Sequence, residues 1–159
     1  MKPVIVVECD NDELLLRIIG MPRERIQHEG NRDEVVKYVV NNAPGRFIGL
    51  IDEDPGTQFG AMRQRFKSGR PQHGLSIASN GPRRLVVLSP FLEGWLLQAV
   101  KACGGRLSAL DKGLSDDARA LHRQFSPRGD QRMRKVIAFL QRERSAHLKA
   151  LRKALDIPG

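Results

Sequence analysis

The chain has 159 residues, enough for one domain with a hydrophobic core and a smaller appended part. It carries 27 Lys and Arg against 18 Asp and Glu, a net charge of +9, and its two cysteines are too few for a disulfide framework or a zinc site. No apolar run is long enough for a transmembrane helix or a signal peptide, and two lone thiols fit a reducing compartment, so we expect a cytoplasmic protein that makes no membrane contact.

The charge is unevenly distributed along the chain. Residues 1–60 contain 7 basic and 11 acidic groups (net −4), residues 61–105 contain 7 and 1 (net +6), and residues 106–159 contain 13 and 6 (net +7). Such a distribution is expected where acidic residues bind a metal that faces a polyanion and basic residues beside them hold its phosphates. Basic surfaces also serve solubility, so charge alone does not establish that function.

The first third of the chain alternates between strand and helix patterns. We predict strands at 3–7, 25–28 and 47–51 and helices at 13–19 and 32–42. Asn11 or Asp12 would cap the first helix, and Asn31 the second. Short connections between alternating strands and helices predict an α/β fold, with helices on the faces of a mostly parallel sheet.

The rest of the chain divides near Gly104-Gly105. Before that point, residues 56–74 predict a short helix and an exposed loop, and two strands at 75–79 and 84–88 precede a helix at 91–103. Asn80-Gly81 favours a tight hairpin between the strands, but Pro82 favours a wider turn, and the two signals are of equal weight. After that point the pattern is helical, with helices at 116–125 and 130–156. We therefore expect a domain over 1–104 and a basic helical extension over 105–159 packed on it.

Three consecutive carboxylates follow the predicted strand at 47–51. Side chains alternate along a strand, so Asp52 and Asp54 should point one way and Glu53 another. Two convergent carboxylates repel each other unless a cation lies between them, and oxygen ligands suit Mg²⁺ or Mn²⁺. A solvated acidic corner between strand and loop would need no ion, and the stretch alone favours neither reading.

Together, the two acidic strand ends resemble the Toprim domain of type IA topoisomerases, bacterial primases and OLD-type nucleases. That family has an apolar strand ending in Glu-Gly, an acid three residues later, and a second strand ending in Asp-x-Asp with a Gly soon after. Glu8 and Asp12 match the first part, and Asp52 and Asp54 match the second. Cys9 stands where the family usually has Gly, a departure that would either tighten the backbone geometry or alter the approach of a phosphate. The resemblance covers about residues 3–103.

A weaker match concerns the segment Ser89-Pro-Phe-Leu-Glu93-Gly-Trp95, which resembles a helix start with a further acid in small Toprim-like proteins. Glu93 would then be an additional metal ligand. Its alternative role is that of a carboxylate favoured by the dipole at a helix N-terminus.

The resemblance implies a Rossmann-like Toprim core and hydrolysis of phosphodiester bonds in DNA or RNA with Mg²⁺ or Mn²⁺. Glu8, Asp52 and Asp54 would be catalytic, and the metal would be held by Glu8, Asp12, Asp52, Asp54 and Glu93. The residues expected to contact phosphates are Arg63, Arg65, Arg70, Arg83 and Arg84. The single tyrosine, Tyr38, lies within a predicted helix, which argues against a topoisomerase, and there is no room for the binding regions of a primase.

Two other classes of protein stay open. A receiver-like signalling domain also carries acids after its first and third strands, but it needs a lysine at the end of a late strand, where this chain has Leu88-Ser89-Pro90. A non-catalytic Toprim-fold protein that binds nucleic acid or a protein partner fits the same residues. A thiol nucleophile at Cys9 is disfavoured, because neighbouring carboxylates oppose thiolate formation.

Overall fold

The structure is a computed structural model that describes residues 2–55, 58, 60–125 and 130–158. Its strands are β1 (Val4–Val7), β2 (Ile26–His28), β3 (Phe47–Asp52), β4 (Lys67–Ser68), β5 (Leu75–Asn80) and β6 (Arg83–Leu88). Its helices are α1 (Asp10–Ile18), α2 (Arg32–Asn41), α3 (Ala61–Gln64), α4 (Leu92–Ala102), α5 (Leu107–Leu110), α6 (Ala118–Phe125), α7 (Asp130–Arg142) and α8 (Ala146–Ala154).

One six-stranded sheet, in the order β2-β1-β3-β6-β5-β4, organises the molecule. The strands β2, β1, β3 and β6 are parallel, and β5 and β4 add an antiparallel edge. Val7 of β1 pairs with Leu50 of β3, and Asp52 pairs with Leu88 of β6. The predicted α/β fold is confirmed: the sheet is mostly parallel, flanked by helices and followed by a helical part, consistent with a Rossmann-like fold.

Helix α2 covers one face of the sheet with its valines, which recur in the sequence at the spacing of a buried helix face. Val35, Val36 and Val39 are at most 1% exposed and belong to the cluster that contains Val6, Ile51 and Leu85 of the central strands. Fully burying each such side chain stabilises the fold by about 1.5–3 kcal/mol. The predicted N-cap is also present, since the Asn31 side chain accepts a hydrogen bond from the Glu34 N–H at 2.9 Å.

The other face of the sheet is covered by α1, α4 and the C-terminal helices. Leu107, Leu121, Phe125 and Leu151 lie in the same hydrophobic cluster as Ile5 of β1. Residues on both sides of the predicted boundary at 104/105 therefore share one core. No helix within the described ranges is both long and apolar enough to span a bilayer.

The single helix predicted over 130–156 is wrong, because the structure has two helices there. Helix α7 ends at Arg142, and Arg144 adopts a left-handed backbone with φ 53°. The Ser145 hydroxyl then accepts a hydrogen bond from the Leu148 N–H at 3.2 Å and caps α8. A serine hydroxyl that accepts a hydrogen bond from an amide in the first turn of a helix is enough to begin that helix. The break between α7 and α8 therefore needs no glycine or proline.

Two smaller expectations are settled by local geometry. The β5–β6 connection is the tight hairpin, since Asn80 pairs directly with Arg83 and Gly81 takes a φ of +60°. The predicted capping of α1 is wrong, because the helix already begins at Asp10 and its N-cap, Cys9, makes no side-chain cap. The elements β4 and α5 have no counterpart in the sequence prediction.

Candidate active site

The ends of the two central parallel strands bring Glu8 and Asp52 together. Adjacent parallel strands end at the same edge of a sheet, and β1 and β3 are adjacent here. The Glu8 Oε1 accepts a hydrogen bond from the Asp52 N–H at 3.3 Å. The strand–helix alternation of the sequence also predicts that these two strands are neighbours at the centre of the sheet, and the pairing of β1 with β3 confirms this.

Asp52 lies between a helix N-terminus and several carboxylates. Its Oδ1 accepts a hydrogen bond from the N–H of Leu92, the first residue of α4, at 3.0 Å. Burial raises the pKa of Asp52 to about 7, and the charges of Glu8 and Glu93 add to the effect, while the Leu92 N–H opposes it. Asp52 is therefore a carboxylate whose negative charge is under-compensated by its protein surroundings.

Asp12 is the most buried acid of the group, with 1% of its surface exposed. Neither of its carboxylate oxygens accepts a hydrogen bond of normal distance and angle from a described residue. Burial raises the pKa of Asp12 well above its ordinary value, and the charge of Asp52 is the next largest cause of the rise. A hydrogen bond with the neighbouring Cys9 thiol lowers the pKa, but only in part. Buried charges in proteins are normally paired or coordinate a metal, so this carboxylate requires an explanation.

Arg32 at the start of α2 ties down the end of β3. Its Nη1 donates hydrogen bonds to the carbonyl oxygens of Glu53 at 2.8 Å and Asp52 at 3.4 Å. The pKa of Glu8 is raised by burial, and the Asp52 N–H and the Arg32 charge act against that rise. Arg32 thus supplies positive charge next to the acids while holding their backbone in place.

Glu53 and Asp54 separate beyond the strand. The Glu53 carboxylate accepts a hydrogen bond from the hydroxyl of Ser89, the residue that follows β6. Asp54 adopts a left-handed backbone, with φ 50°, and its N–H donates to the Pro90 carbonyl at 2.8 Å. Asp54 and Asp52 both line the same cavity, whereas Glu53 does not.

Glu93 is in the first turn of α4, is 3% exposed and binds two partners that sequence reasoning missed. Its Oε1 accepts a hydrogen bond from the His122 Nδ1 at 2.7 Å and another from the Asn11 amide at 3.3 Å. Asn11 and His122 lie 82 and 29 residues from Glu93 along the chain. No short-range sequence pattern joins three positions so far apart, so only the folded chain reveals this contact.

A cavity of about 600 Å³ opens over these carboxylates. The elements that surround it are the ends of β1 and β3, the starts of α2 and α4, and helix α6 of the C-terminal part. The described residues that line it are Glu8, Cys9, Gly30, Asn31, Arg32, Asp33, Asp52, Asp54, Phe91, Glu93, Ala118, Arg119 and His122.

The acids that sequence analysis selects do not close on a single point. In the part of the chain that the structure describes, the one group of three whose possible ligand atoms all lie within 4.8 Å of one another is Asp10, Glu13 and His28. That group lies at the surface, where the Asp10 side chain is 92% exposed. Exposed acidic groups of this kind are common without an ion, so the proximity is not diagnostic.

The five arginines expected to bind phosphate are not among the described residues that line the cavity. Arg63 is buried and donates to the Ser68 hydroxyl at 3.1 Å, and burial lowers its pKa. Arg83 donates to the carbonyl oxygens of Val39 at 3.3 Å and Asn42 at 3.4 Å, at the end of α2. Arg83 and Arg84 begin β6, whose other end adjoins Asp52, so they lie at the opposite end of the strand from the acids. Arg65 and Arg70 are exposed.

Comparison of the chain with protein-family models, with curated proteins and with solved structures found no match.

Proposed function

We propose that this protein is a Mg²⁺- or Mn²⁺-dependent phosphodiesterase that cleaves nucleic acid, either as a Toprim-type nuclease or as a nuclease subunit. The observation that carries the proposal is the Asp12 carboxylate, which is buried without a properly formed hydrogen bond beside Asp52 and Glu8. An acidic cluster alone is common on protein surfaces. A buried, uncompensated acid within such a cluster is expected where a cation completes the site.

The donors present fit a hard divalent ion, because all of them are carboxylate oxygens. The residues that would hold it are Glu8, Asp12, Asp52, Asp54 and Glu93. When bound, the ion would neutralise a phosphate oxygen and stabilise the leaving oxygen. The raised pKa of Asp52 and of Asp12 supports this assignment, since a nearby cation would favour the charged form of both groups.

The chain's own groups have separate roles in the proposed reaction. Glu8, with a pKa raised by burial, would accept a proton from the attacking water. Arg32 would hold the end of β3 through the Glu53 carbonyl, and the Leu92 N–H would orient the Asp52 carboxylate. These contacts fix the acids before a substrate arrives, which is the condition for effective positioning.

Neither Cys9 nor Tyr38 is suited to act as a covalent nucleophile. Burial and the charge of Asp12 raise the pKa of the Cys9 thiol, so the nucleophilic thiolate is disfavoured. Tyr38 packs edge-on against Phe47, with ring centroids 5.1 Å apart, in the cluster on the α2 face of the sheet. A water nucleophile is therefore the better match to the residues around the cavity.

A non-catalytic Toprim-fold protein that binds nucleic acid or a protein partner is the second candidate. It is favoured by the spacing of the acids, which lie around the cavity without converging within 4.8 Å as the surface group does. Binding does not require ligands that close around an ion, whereas metal-dependent hydrolysis does.

Cleavage of labelled single-stranded DNA, duplex DNA and RNA, with Mg²⁺, with Mn²⁺ and with EDTA, separates the two candidates. We expect cleavage only with the metals, and Asp52→Asn should reduce its rate by about 100-fold or more, because metal stabilisation of the transition state amounts to several kcal/mol. Asp10→Asn, which makes the same charge change at an exposed residue, should leave the rate within about twofold. Binding without metal-dependent cleavage of any substrate would favour the non-catalytic candidate.

A further inference from the structure

Helix α6 belongs to the C-terminal part, yet it forms one wall of the acidic cavity. Leu121 is fully buried, Phe125 is 1% exposed, and both anchor the helix in the main core. An adjoining face of α6 contributes Ala118, Arg119 and His122 to the cavity. The helix therefore has one face for packing and one face turned towards the carboxylates.

A buried carboxylate fixes the position of this wall. The His122 Nδ1 lies 2.7 Å from Oε1 of Glu93, and the Asn11 amide lies 3.5 Å from the His122 carbonyl oxygen. Glu93 is 3% exposed, whereas the His122 side chain is 59% exposed, so the contact joins a buried acceptor to a ring that water still reaches.

Arg119 lies three residues before His122, and residues at this spacing share a helix face. No described residue forms a hydrogen bond or an ion pair with the Arg119 side chain, which is exposed. The other guanidinium that lines the cavity, that of Arg32, donates to the carbonyl oxygens of Asp52 and Glu53. Of the two arginines among the described residues that line the cavity, Arg119 is thus the one whose guanidinium does not donate to backbone carbonyl oxygens.

The charge of the cavity makes such a cation necessary. Five carboxylates line it, those of Glu8, Asp33, Asp52, Asp54 and Glu93, and they repel a phosphodiester. A bound ion would compensate part of this charge at the reacting phosphate. The neighbouring phosphates of a strand need cations at the rim, and a guanidinium matches phosphate geometry well.

We propose, on the basis of the nuclease function above, that Arg119 binds a backbone phosphate of the nucleic acid strand and that His122, held by Glu93, is the residue that positions α6 for this contact. The C-terminal helical part is then a component of the substrate site. This assigns phosphate binding to α6, whereas the arginines that sequence analysis selects do not line the cavity.

The test is the binding of a fluorescein-labelled 20-nucleotide single-stranded DNA in the presence of Ca²⁺, an oxygen-binding cation that can offset the carboxylate charge in place of Mg²⁺, measured by anisotropy as a function of salt. Arg119→Ala should weaken binding at least about fivefold and lower the slope of log K against log salt by about 0.7, the value for one phosphate contact on a single strand. Arg123→Ala removes the same charge from an exposed residue of α6 that does not line the cavity, and should change affinity less than twofold.

His122 is tested through its coupling to Arg119. His122→Ala should weaken binding, and combining it with Arg119→Ala should add little, because both changes remove the same phosphate contact. If His122 had only a structural role, the fold-losses of affinity from the two single variants would multiply in the double variant. Thermal melting of each variant identifies losses that come from unfolding.

The outcomes separate this inference from the proposed function. Equal losses in Arg119→Ala and Arg123→Ala, with wild-type cleavage intact, would overturn the inference and leave the nuclease assignment standing. Metal-dependent cleavage that is absent while binding still depends on Arg119 but not on Arg123 would overturn the nuclease assignment alone. Absence of binding to DNA would overturn the inference.

Discussion

The carboxylates of the candidate site differ in how well the protein compensates their charge. Asp52 accepts the Leu92 N–H, and Glu8 accepts the Asp52 N–H. Asp12 has no properly formed hydrogen bond and is 1% exposed. Removing one charge from such a cluster relieves repulsion, and the relief is greatest at the acid with the least compensation.

Asp12→Asn should therefore stabilise the protein in the absence of divalent metal, by about 1 kcal/mol or more at pH 8. The same variant should lose most of the stabilisation that 10 mM Mg²⁺ gives the wild type, since a ligand that binds only the folded state stabilises it by mass action. Urea denaturation with Mg²⁺ and with EDTA measures both effects.

Asp10→Asn is the matched control, because Asp10 is in the same turn of α1 but belongs to the exposed group with Glu13 and His28. We expect it to keep the Mg²⁺ response. Loss of the response in Asp10→Asn, with retention in Asp12→Asn, would place the ion at the surface group and contradict the site proposed here.

At the residue scale, the sequence predicts those site groups that follow directly from strand ends. Glu8 and Asp52 adjoin adjacent parallel strands, so their proximity follows from the strand–helix alternation. The partners of Glu93 could not be predicted in this way, because Asn11 and His122 reach it through the packing of α1 and α6. The role of Arg83 was equally hidden, since its bonds to the end of α2 depend on where that helix stops.

At the scale of elements, the break between α7 and α8 shows how a local contact overrides a helical pattern. The apolar spacing of Met133, Ile137, Leu140, Leu148 and Leu151 continues through the break, and all five are buried. A continuous helix and two helices that bury the same residues therefore look alike in sequence. The left-handed Arg144 and the Ser145 cap decide between them.

Ser145→Ala should destabilise the protein by about 1 kcal/mol, because it removes the side-chain acceptor for the Leu148 N–H. Ser145→Gly should cost less, a few tenths of a kcal/mol, since glycine is much preferred over alanine at an N-cap. Urea denaturation of both variants measures the difference. Equal stability of Ser145→Ala and the wild type would mean that the hydroxyl does not hold the start of α8.

At the scale of the whole molecule, the sheet and the C-terminal helices share a hydrophobic cluster that runs from Ile5 to Ile157. This continuity lets α6 reach the ends of β1 and β3. The sequence predicted a helical extension packed on the core, but the face on which it packs depends on the three-dimensional match of apolar surfaces. Its contribution to the cavity could therefore not be read from helical periodicity.

The basic residues outside the cavity lead to a prediction about salt. Arg65 and Arg70 are exposed and belong to the segment that follows the acidic end of β3 along the chain, whereas Lys149 and Lys153 are exposed on α8. Replacing Arg65 and Arg70 together by Ala should lower the slope of log K against log salt by up to about 1.4 for single-stranded DNA, at about 0.7 for each phosphate contact. Arg63 stays unchanged in this test, because its side chain is buried and its loss would disturb the fold.

The double variant Lys149→Ala and Lys153→Ala removes the same two charges and should leave that slope nearly unchanged, because α8 has a packing role through Leu148 and Leu151. The two variants have equal net charge, so any difference between their slopes reflects where the strand lies and not the total charge of the protein. Equal losses from both would indicate a non-specific charge effect. No loss from either would leave Arg65 and Arg70 without a role in binding nucleic acid and would favour a protein partner for that surface.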